Sequence, residues 1–258
     1  MSASSSLTSA SPSLALFAAT VILGKWLTQR QTVAESLAKD NAVTTSSSSG
    51  KIEKSVLELI QSRRSIFPKQ YSPSKPVPRQ ILEKMLEAAR WSPSHHLTQP
   101  WYFIVFETEQ SRRNLGIFLA EHYKKTALQS GNDFLQKKYD KKLKSAMCST
   151  YIIAICVKRD KQSKVPELED ICSVAIAVQN MHLVATEYGV GAYWSSGSVY
   201  DPVHKKGRCA VNPEELKVFL QLPTPESFCI GWFYVGNYEG KVMKGRRDPV
   251  DGEKVSWR

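Results

Sequence analysis

The sequence predicts a single α+β domain behind a Ser-rich N-terminal tail. Its 258 residues suffice for one sizeable domain and a tail, but not for two large domains. Helical and strand patterns mix along the chain without an internal repeat, which is typical of an α+β layered fold. An apolar fraction of 42% is ordinary for a globular protein, so we expect a packed core.

The first 50 residues are assigned to a tail and a linker. Residues 1–13 contain seven serines, an apolar stretch follows within residues 10–27, and no acid precedes Glu35. Serine enrichment without acids is typical of a targeting peptide for a mitochondrion or plastid. The apolar stretch nearly reaches the ~20 residues of a membrane anchor, and a disordered tail on a cytoplasmic protein is the third alternative. Residues 44–50 read TTSSSSG, a flexible linker, so we expect the folded domain over residues 51–258.

The first part of the domain is predicted to contain two helices and a strand. Apolar residues on one helical face predict a helix over Ser55–Arg64. Four prolines in residues 68–78 predict an extended connector after it. A second helix is expected around residues 81–89, where apolar residues again recur at helical spacing, and the short apolar run Tyr102–Phe106 predicts a strand.

The middle of the domain is predicted to place helices around a central strand. Residues 111–147 are polar and periodic, which predicts helices on the outside of the molecule. The unbroken apolar run Tyr151–Val157 is typical of a central strand. Ile171–Tyr188 is apolar on nearly all sides, so we expect a buried central helix that ends at Gly189.

The last predicted elements are a short helix and a strand. Asn212 and Pro213 suit the N-cap and the first turn of a helix that ends at Leu220. The apolar run Phe228–Val235 then predicts the final strand. Helices and strands therefore continue to the C-terminal region, as one layered domain requires.

The net charge of +11 lies almost entirely in the domain, because three basic and two acidic residues give the first 50 residues only +1. Such a balance favours anionic ligands, which include phosphorylated cofactors, nucleic acid and membrane surfaces. The chain has no RNA-binding signature, zinc finger or basic zipper. The densest basic run is typical of a solvated helix face, so we do not expect a nucleic-acid partner. This run consists of Lys137, Lys138, Lys141, Lys142 and Lys144.

The five cysteines predict neither a disulfide framework nor a structural zinc site, because no pair has C-x-x-C spacing. Cys156, Cys172 and Cys229 lie in apolar runs, where cysteine is normally a small core residue. We therefore expect these three in the core of a protein from a reducing compartment.

Two segments in the first half carry candidate chemistry. Arg63-Arg64-Ser65 offers two guanidiniums and a hydroxyl that suit a phosphate, although a basic helix end would also explain them. Pro93–Trp101 (PSHHLTQPW) is a stiff loop whose polar tips suit the edge of a flat heterocycle, although it also reads as a plain connector. Its adjacent histidines lack a third ligand at metal-binding spacing, so no metal site is expected.

Two further segments lie in the second half. Gly189–Gly197 (GVGAYWSSG) ends in residues whose backbone N–H groups are not blocked by large side chains, although a plain strand-to-loop turn would look the same. It follows a helix rather than a strand, which excludes the dinucleotide-binding fingerprint. Gly245–Pro249 (GRRDP) provides a second arginine pair or, alternatively, only a basic tail.

The order and spacing of these segments resemble the nitroreductase family. Arg-Arg-Ser is followed about 30 residues later by Pro-Ser-x-x-x-x-Gln-Pro-Trp, then by AVQNMHLVATEYGVGAYW, a late strand and an arginine shortly before a proline. The resemblance spans residues 56–249. It is closest to the compact branch of the family, whose Pro-Asp-His-Lys-type loop corresponds to residues 93–96.

The resemblance implies an α/β/α sandwich with a mostly antiparallel central sheet. It also implies a homodimer formed over the whole domain, with FMN at the dimer interface. The residues it assigns to the phosphate and ribityl end of FMN are Arg63, Arg64, Ser65 and Arg247.

Other matched positions are assigned to the flavin ring and to the nicotinamide nucleotide. Trp194, Ser195 and Ser196 match the segment beside the isoalloxazine ring. Trp91 and His95 match positions that reach the flavin of the partner subunit. The segment associated with NADPH or NADH in the compact branch corresponds to Val184, Ala185, Thr186, Glu187, Tyr188 and Gly189.

The implied activity is ping-pong transfer of a hydride from NAD(P)H, through flavin N5, to a nitroaromatic, quinone or activated alkene. The chemistry resides on FMN, so no catalytic side chain is assigned. A flavin-dependent dehalogenase of the iodotyrosine deiodinase type is an alternative. Its substrate clasp needs Glu four residues before Tyr, whereas Leu119 and Leu135 stand before Tyr123 and Tyr139. Flavin-destroying enzymes of cobalamin synthesis and a non-catalytic, membrane-associated flavin-binding protein are further alternatives.

Two positions depart from the family pattern. Many members carry Lys or Arg two residues after the serine of Arg-x-Ser, near flavin N1 and O2, where this chain has Phe67. Many also carry Asn in the second motif where this chain has Leu97. We therefore expect the positive charge near flavin N1 to come from another part of the chain.

Overall fold

The computed structural model describes residues 55–129, 133–197, 212–240, 242, 244–250, 252 and 254–258. The predictions for the targeting or membrane segment and for the linker lie outside these residues. Within the described residues, no helix is both long and apolar enough to cross a lipid bilayer.

Six α-helices and four strands form the described part of the chain. The helices are α1 Val56–Ser62, α2 Arg79–Arg90, α3 Glu109–Gln129, α4 Gln136–Cys148, α5 Glu167–Glu187 and α6 Glu214–Leu220. The strands are β1 Trp101–Phe106, β2 Tyr151–Val157, β3 Gly191–Ser195 and β4 Phe228–Gly236. Two 3₁₀ turns, Pro68–Gln70 and His95–Leu97, interrupt the connectors, so residues 68–78 are only partly extended.

The four strands form one antiparallel sheet in the order β1-β2-β4-β3. Every residue of β2 and β4 is buried, as expected for strands whose apolar runs are unbroken. Strand β3 lies at one edge, where Ser65 adds a short parallel bridge to Ala192. The Arg-Arg-Ser segment is thereby placed along the β3 edge of the sheet.

Helices cover both faces of the sheet. Successive residues of β2 point to opposite faces, so Ile153 and Ile155 pack with α2 and α5, whereas Ile152 and Ala154 pack with α3, α4 and α6. The result is the predicted α/β/α sandwich, with one apolar core on each side of the sheet.

Helix α5 begins four residues earlier than periodicity predicts, because Pro166 stands before its first turn and three acidic side chains fill that turn. Acidic groups are favourable at the positive end of the helix dipole. The helix ends before Gly189, which has a φ of +66°, as the predicted glycine stop requires.

The prediction that Asn212 caps the short helix α6 is wrong. Helix α6 begins at Glu214 after Pro213, and no side chain caps it. Asn212 is buried, and its Nδ2 donates to the carbonyl of Cys229 at 2.9 Å. A buried amide must have hydrogen-bond partners, and Asn212 finds them in the backbone of Cys229 rather than in the first turn of α6. The side chain therefore joins the segment before α6 to β4.

The prediction that Cys172 lies in the core is also wrong, although Cys156 and Cys229 are buried as expected. Cys172 is exposed on α5, one helical turn from the exposed Leu168 and one turn from the exposed Ile176. These three residues share one face of the helix, because residues four apart on a helix lie above one another. Helix α5 therefore presents an apolar stripe away from the sheet.

Candidate functional site

The Arg-Arg-Ser segment reaches the sheet because α1 ends just before it. Arg63 leaves the helical conformation, with φ −58° and ψ 127°. The backbone N–H of Ile66 then donates to the carbonyl of Ala192 at 3.0 Å. Both arginines are half-buried, whereas Ser65 is exposed beside the strand that ends in Ser195.

The two arginine pairs, which are far apart in the sequence, meet at this edge. The guanidinium of Arg64 lies against the backbone of Gly245, where any Cβ atom would overlap it. Burial lowers the pKa of Arg63, and the nearby positive charges of Arg247 and Arg64 lower it further. Neither Arg63 nor Arg247 forms an ion pair with an acidic side chain among the described residues. An anion bound between them would relieve this repulsion.

His182 of α5 holds the Arg-Arg-Ser segment through a hydrogen bond, a role that the sequence analysis did not predict. Its ring lies in the apolar middle of α5, and Nε2 donates to the carbonyl of Arg64 at 3.0 Å. Burial, followed by the positive charge of Arg63, lowers the pKa of His182 to about 4. The ring is therefore neutral at physiological pH. The signal in the sequence was a lone histidine in an otherwise apolar helix.

A cavity of about 590 Å³ opens beside the same strand. Phe67, Tyr193 and Ser195 line one side of it, and the rings of Phe67 and Tyr193 lie 4.6 Å apart. At Phe67, where many family members carry Lys or Arg, this chain therefore has an aromatic side chain that packs on Tyr193 of β3. The remaining lining residues are Pro68, Lys69, Tyr123, Lys138, Lys141, Lys142, Lys144, Ser145, Cys148 and Tyr234.

The prediction that the lysine run of α4 lies on a solvated face is confirmed for Lys137, Lys138, Lys141 and Lys144, which are exposed, whereas Lys142 is half-buried. Four of these lysines also line the cavity, namely Lys138, Lys141, Lys142 and Lys144. Three of them lie at positions i, i+3 and i+4 and so share one helical face. Burial and the charge of Lys141 lower the pKa of Lys142 to about 8. Lys137 does not line the cavity and is exposed.

Trp194 and Ser196 continue the segment that borders the cavity. Trp194 is half-buried, and its indole packs so closely on Gly231 that a Cβ atom there would overlap the ring. Ser196 is exposed, and the next carbonyl, that of Gly197, accepts from Trp232 Nε1 at 2.9 Å. Two tryptophans therefore hold the strand end in place, while Ser195 lines the cavity and Ser196 is exposed.

The second motif forms a strained loop, and none of its hydrogen bonds or ion pairs among the described residues joins it to Arg63 or Arg247. His96, Leu97 and Gln99 have positive φ values of 50°, 55° and 47°, which are unfavourable for side chains with a Cβ atom. The loop is held to the start of α5, because His95 pairs with Glu169 and Thr98 Oγ1 donates to Asp170 at 3.3 Å.

Two apolar side chains of this region point into solvent. Trp91 is 74% exposed, and its Nε1 donates to Glu87 at 2.9 Å. Leu97, the second departure from the family pattern, is 80% exposed at the tip of the loop.

The segment predicted for the nicotinamide nucleotide is the end of α5. Ala185 is buried, Thr186 Oγ1 donates to the carbonyl of His182, and the Tyr188 hydroxyl accepts from Lys84 Nζ at 2.8 Å. None of Val184, Ala185, Thr186, Glu187, Tyr188 and Gly189 lines the cavity. The nucleotide assignment of this segment stays a prediction.

Comparison with known proteins decides the family. A family model described as the nitroreductase family matches residues 60–237. The chain belongs to the nitroreductase family. Within this family, YdjA of Escherichia coli K12, named as a proposed NAD(P)H nitroreductase, is 30% identical over 172 residues, which cover 66% of this chain and 88% of YdjA. YfhC of Bacillus subtilis, named in the same way, is 30% identical over 145 residues, which cover 56% of this chain and 71% of YfhC.

Solved structures agree on the fold. A nitroreductase-like family protein from Bacillus cereus superposes with a TM-score of 0.61 at 21% identity, covering 81% of this chain and 98% of that protein. A nitroreductase-type protein from Desulfovibrio desulfuricans, solved in complex with FMN, gives a TM-score of 0.55 at 23% identity, covering 77% and 94%. These TM-scores show that the chain shares the fold of the two proteins.

Proposed function

We propose that this protein is an NAD(P)H-dependent FMN oxidoreductase that reduces a small organic acceptor. The observation that carries the proposal is the meeting of Arg63 and Arg64 with Gly245–Arg247 at the edge of the sheet, beside a cavity with aromatic walls. The NAD(P)H nitroreductase names of YdjA and YfhC support the electron donor. The FMN bound by the Desulfovibrio protein supports the cofactor.

The residues present fit FMN. Arg63 and Arg247 carry mutually repelling positive charges, which suit a phosphate dianion through charge-assisted hydrogen bonds. Gly245 leaves the space that the Arg64 guanidinium fills. Ser65 would add a hydroxyl at the same end, and the segment Trp194–Ser196 would lie along the isoalloxazine ring.

The chain's own groups bind and orient, while FMN, when bound, accepts and donates the hydride. His182 holds the Arg64 carbonyl as a neutral donor, so the arginine segment keeps its position without adding a further positive charge. Phe67 and Tyr193 line the cavity, and their aromatic rings offer faces on which a planar molecule could stack. NAD(P)H and the acceptor would use this cavity in turn, as a ping-pong reaction requires.

A homodimer completes the proposal. The stripe of Leu168, Cys172 and Ile176 on α5 is exposed in the single chain, as are three apolar residues of α1. Contiguous exposed apolar surface is typical of a protein interface. Trp91 and His95, which do not reach the arginine cluster of their own chain, would contact the flavin of the partner subunit across this interface.

Spectroscopy and kinetics on the purified full chain test the function. The protein should be yellow, and NADPH or NADH should bleach the flavin absorbance without oxygen. Menadione or a nitroaromatic should restore the absorbance and sustain steady-state NAD(P)H oxidation. A yellow protein that no nicotinamide nucleotide reduces would instead be a non-catalytic flavin-binding protein, and a protein that binds no FMN would refute the proposal.

We also propose that the N-terminal segment directs the protein to a membrane or to a mitochondrion or plastid. The apolar segment of residues 10–27 includes Lys25 and no acidic residue, which is compatible with a membrane anchor and with an organellar targeting peptide. A fluorescent protein fused behind residues 1–50 should leave the cytosol. Diffuse cytosolic fluorescence would contradict this proposal.

A further inference from the structure

The cavity beside β3 has an unusual distribution of charge. Five lysines line it, and no acidic side chain does. Lys69, Lys138, Lys141 and Lys144 form no ion pair with a described acidic residue. Since like charges that face a partly enclosed space repel one another, the cavity is electrostatically prepared for an anion.

The cavity also has an aromatic side, in which the Phe67 ring is tilted by 50° against that of Tyr193. Phe67 and Tyr193 lie 4.6 Å apart, and Tyr193 and Tyr234 form a near-parallel pair at 6.3 Å. Aromatic side chains stack with other planar rings and gain more than buried area alone provides. One side of the cavity therefore suits a planar ring, while the lysines of α4 suit a negative substituent on that ring.

The phosphate of FMN does not account for these lysines, because the arginine cluster provides a separate place for it. Arg63, Arg64 and Arg247 do not line the cavity. Lys142 is the most deeply placed of the five lysines, and both its burial and Lys141 disfavour its charge. A bound anion would offset this effect.

We propose that the cavity selects planar aromatic acceptors that carry a carboxylate or another anionic group over neutral acceptors of the same shape. This inference rests on the proposed function, because the cavity borders Ser195 in the segment assigned to the flavin ring. It defines the acceptor class, which family membership leaves open. The selecting groups are Lys138, Lys141 and Lys142, which share one face of α4.

A matched pair of acceptors tests the proposal. In 4-nitrobenzoate and 4-nitrobenzamide the reducible group, ring and size are alike, whereas only the first is an anion near neutral pH. The ratio of their kcat/KM values should favour the benzoate roughly tenfold, as one charge-assisted contact provides. Added salt should reduce this ratio, because it screens charges at a cavity open to solvent.

Substitutions locate the effect. Lys141→Gln and Lys142→Gln should each lower the benzoate-to-amide ratio several-fold, whereas Lys137→Gln, one charge removed outside the cavity, should leave it unchanged. Equilibrium binding gives a second readout, since the unreactive pair benzoate and benzamide should perturb the flavin spectrum with the same preference. The binding ratio does not depend on turnover.

Three outcomes overturn the proposal. A wild-type ratio near one, or equal ratios in all three lysine variants, would mean that the lysines do not select the acceptor. A change in the NADPH-to-NADH preference without a change in the acceptor ratio would assign the lysines to the nucleotide phosphate. The proposed function survives each of these results as long as the amide is reduced, and it fails separately if neither acceptor supports NAD(P)H oxidation.

Discussion

Lowering the pH from about 7 to about 4 should destabilise the protein, because His182 has a lower pKa in the folded chain than in the unfolded chain. In the folded chain its pKa is lowered from the ordinary value of 6.5 to about 4. At a pH above the pKa of the unfolded chain, the His182 ring is neutral in both the folded and the unfolded state. Between the two values only the unfolded chain takes up the proton, so the free energy of unfolding falls as the pH falls.

The magnitude follows from the difference between the two pKa values. One pKa unit corresponds to about 1.4 kcal/mol, so His182 should remove about 3 kcal/mol of stability by the time the pH reaches its folded pKa. A loss of this size is a large part of the stability of an ordinary domain. His182→Gln removes the titration, while its amide retains a donor for the Arg64 carbonyl.

Urea unfolding, followed by tryptophan fluorescence at fixed added FMN, measures the effect. The wild-type chain should lose about 3 kcal/mol more than His182→Gln between the two pH values. His96→Gln is the control, because it removes an exposed histidine and leaves His182 in place, so it should keep the wild-type pH dependence. Equal pH dependence in the wild type and in His182→Gln would refute the placement of His182.

Three further predictions concern the site and the assembly. Gly245→Ala should weaken FMN binding several-fold in a fluorescence titration, because the new Cβ displaces the Arg64 guanidinium. Gly252→Ala is the control and should leave FMN binding unchanged, because a Cβ atom at Gly252 meets nothing within 4 Å. If the proposed dimer forms through the α5 stripe, Cys172 should resist thiol reagents in the wild type and react readily in Ile176→Asp; equal rates would place the interface elsewhere. A chain that starts at Lys51 should purify yellow and dimeric, and colourless or aggregated protein would show that the tail belongs to the fold.

The elements that sequence predicts best are those whose pattern has one physical solution. Tyr151–Val157 is apolar without interruption, and the only place for such a strand is the middle of a sheet covered on both faces. Gly189 ends α5 because the left-handed conformation there suits glycine. Each arginine pair is ambiguous alone; the structure brings the two pairs together at the β3 edge, and their role in FMN binding stays a prediction.

The features that the sequence does not predict depend on which distant residues pack against a given side chain. The spacing of the α4 lysines predicts their exposure but not the cavity beside them, because Phe67 and Tyr193, which line it as well, are distant from them in sequence. His182 acts on a carbonyl 118 residues away. Asn212 follows the residue preferences of a helix cap, but burial against β4 gives its amide a different set of partners.

Retention of FMN by arginine variants tests the central claim most directly. Arg63→Ala, Arg247→Ala and Lys137→Ala each remove one positive charge, so a general field effect would treat them alike. If Arg63 and Arg247 make charge-assisted bonds to the phosphate, each of their variants should bind FMN roughly ten- to hundred-fold more weakly, while Lys137→Ala binds as the wild type does. Flavin per protomer after gel filtration and the FMN dissociation constant of the apoprotein measure this. Equal retention by all three variants would contradict the cofactor site at the β3 edge.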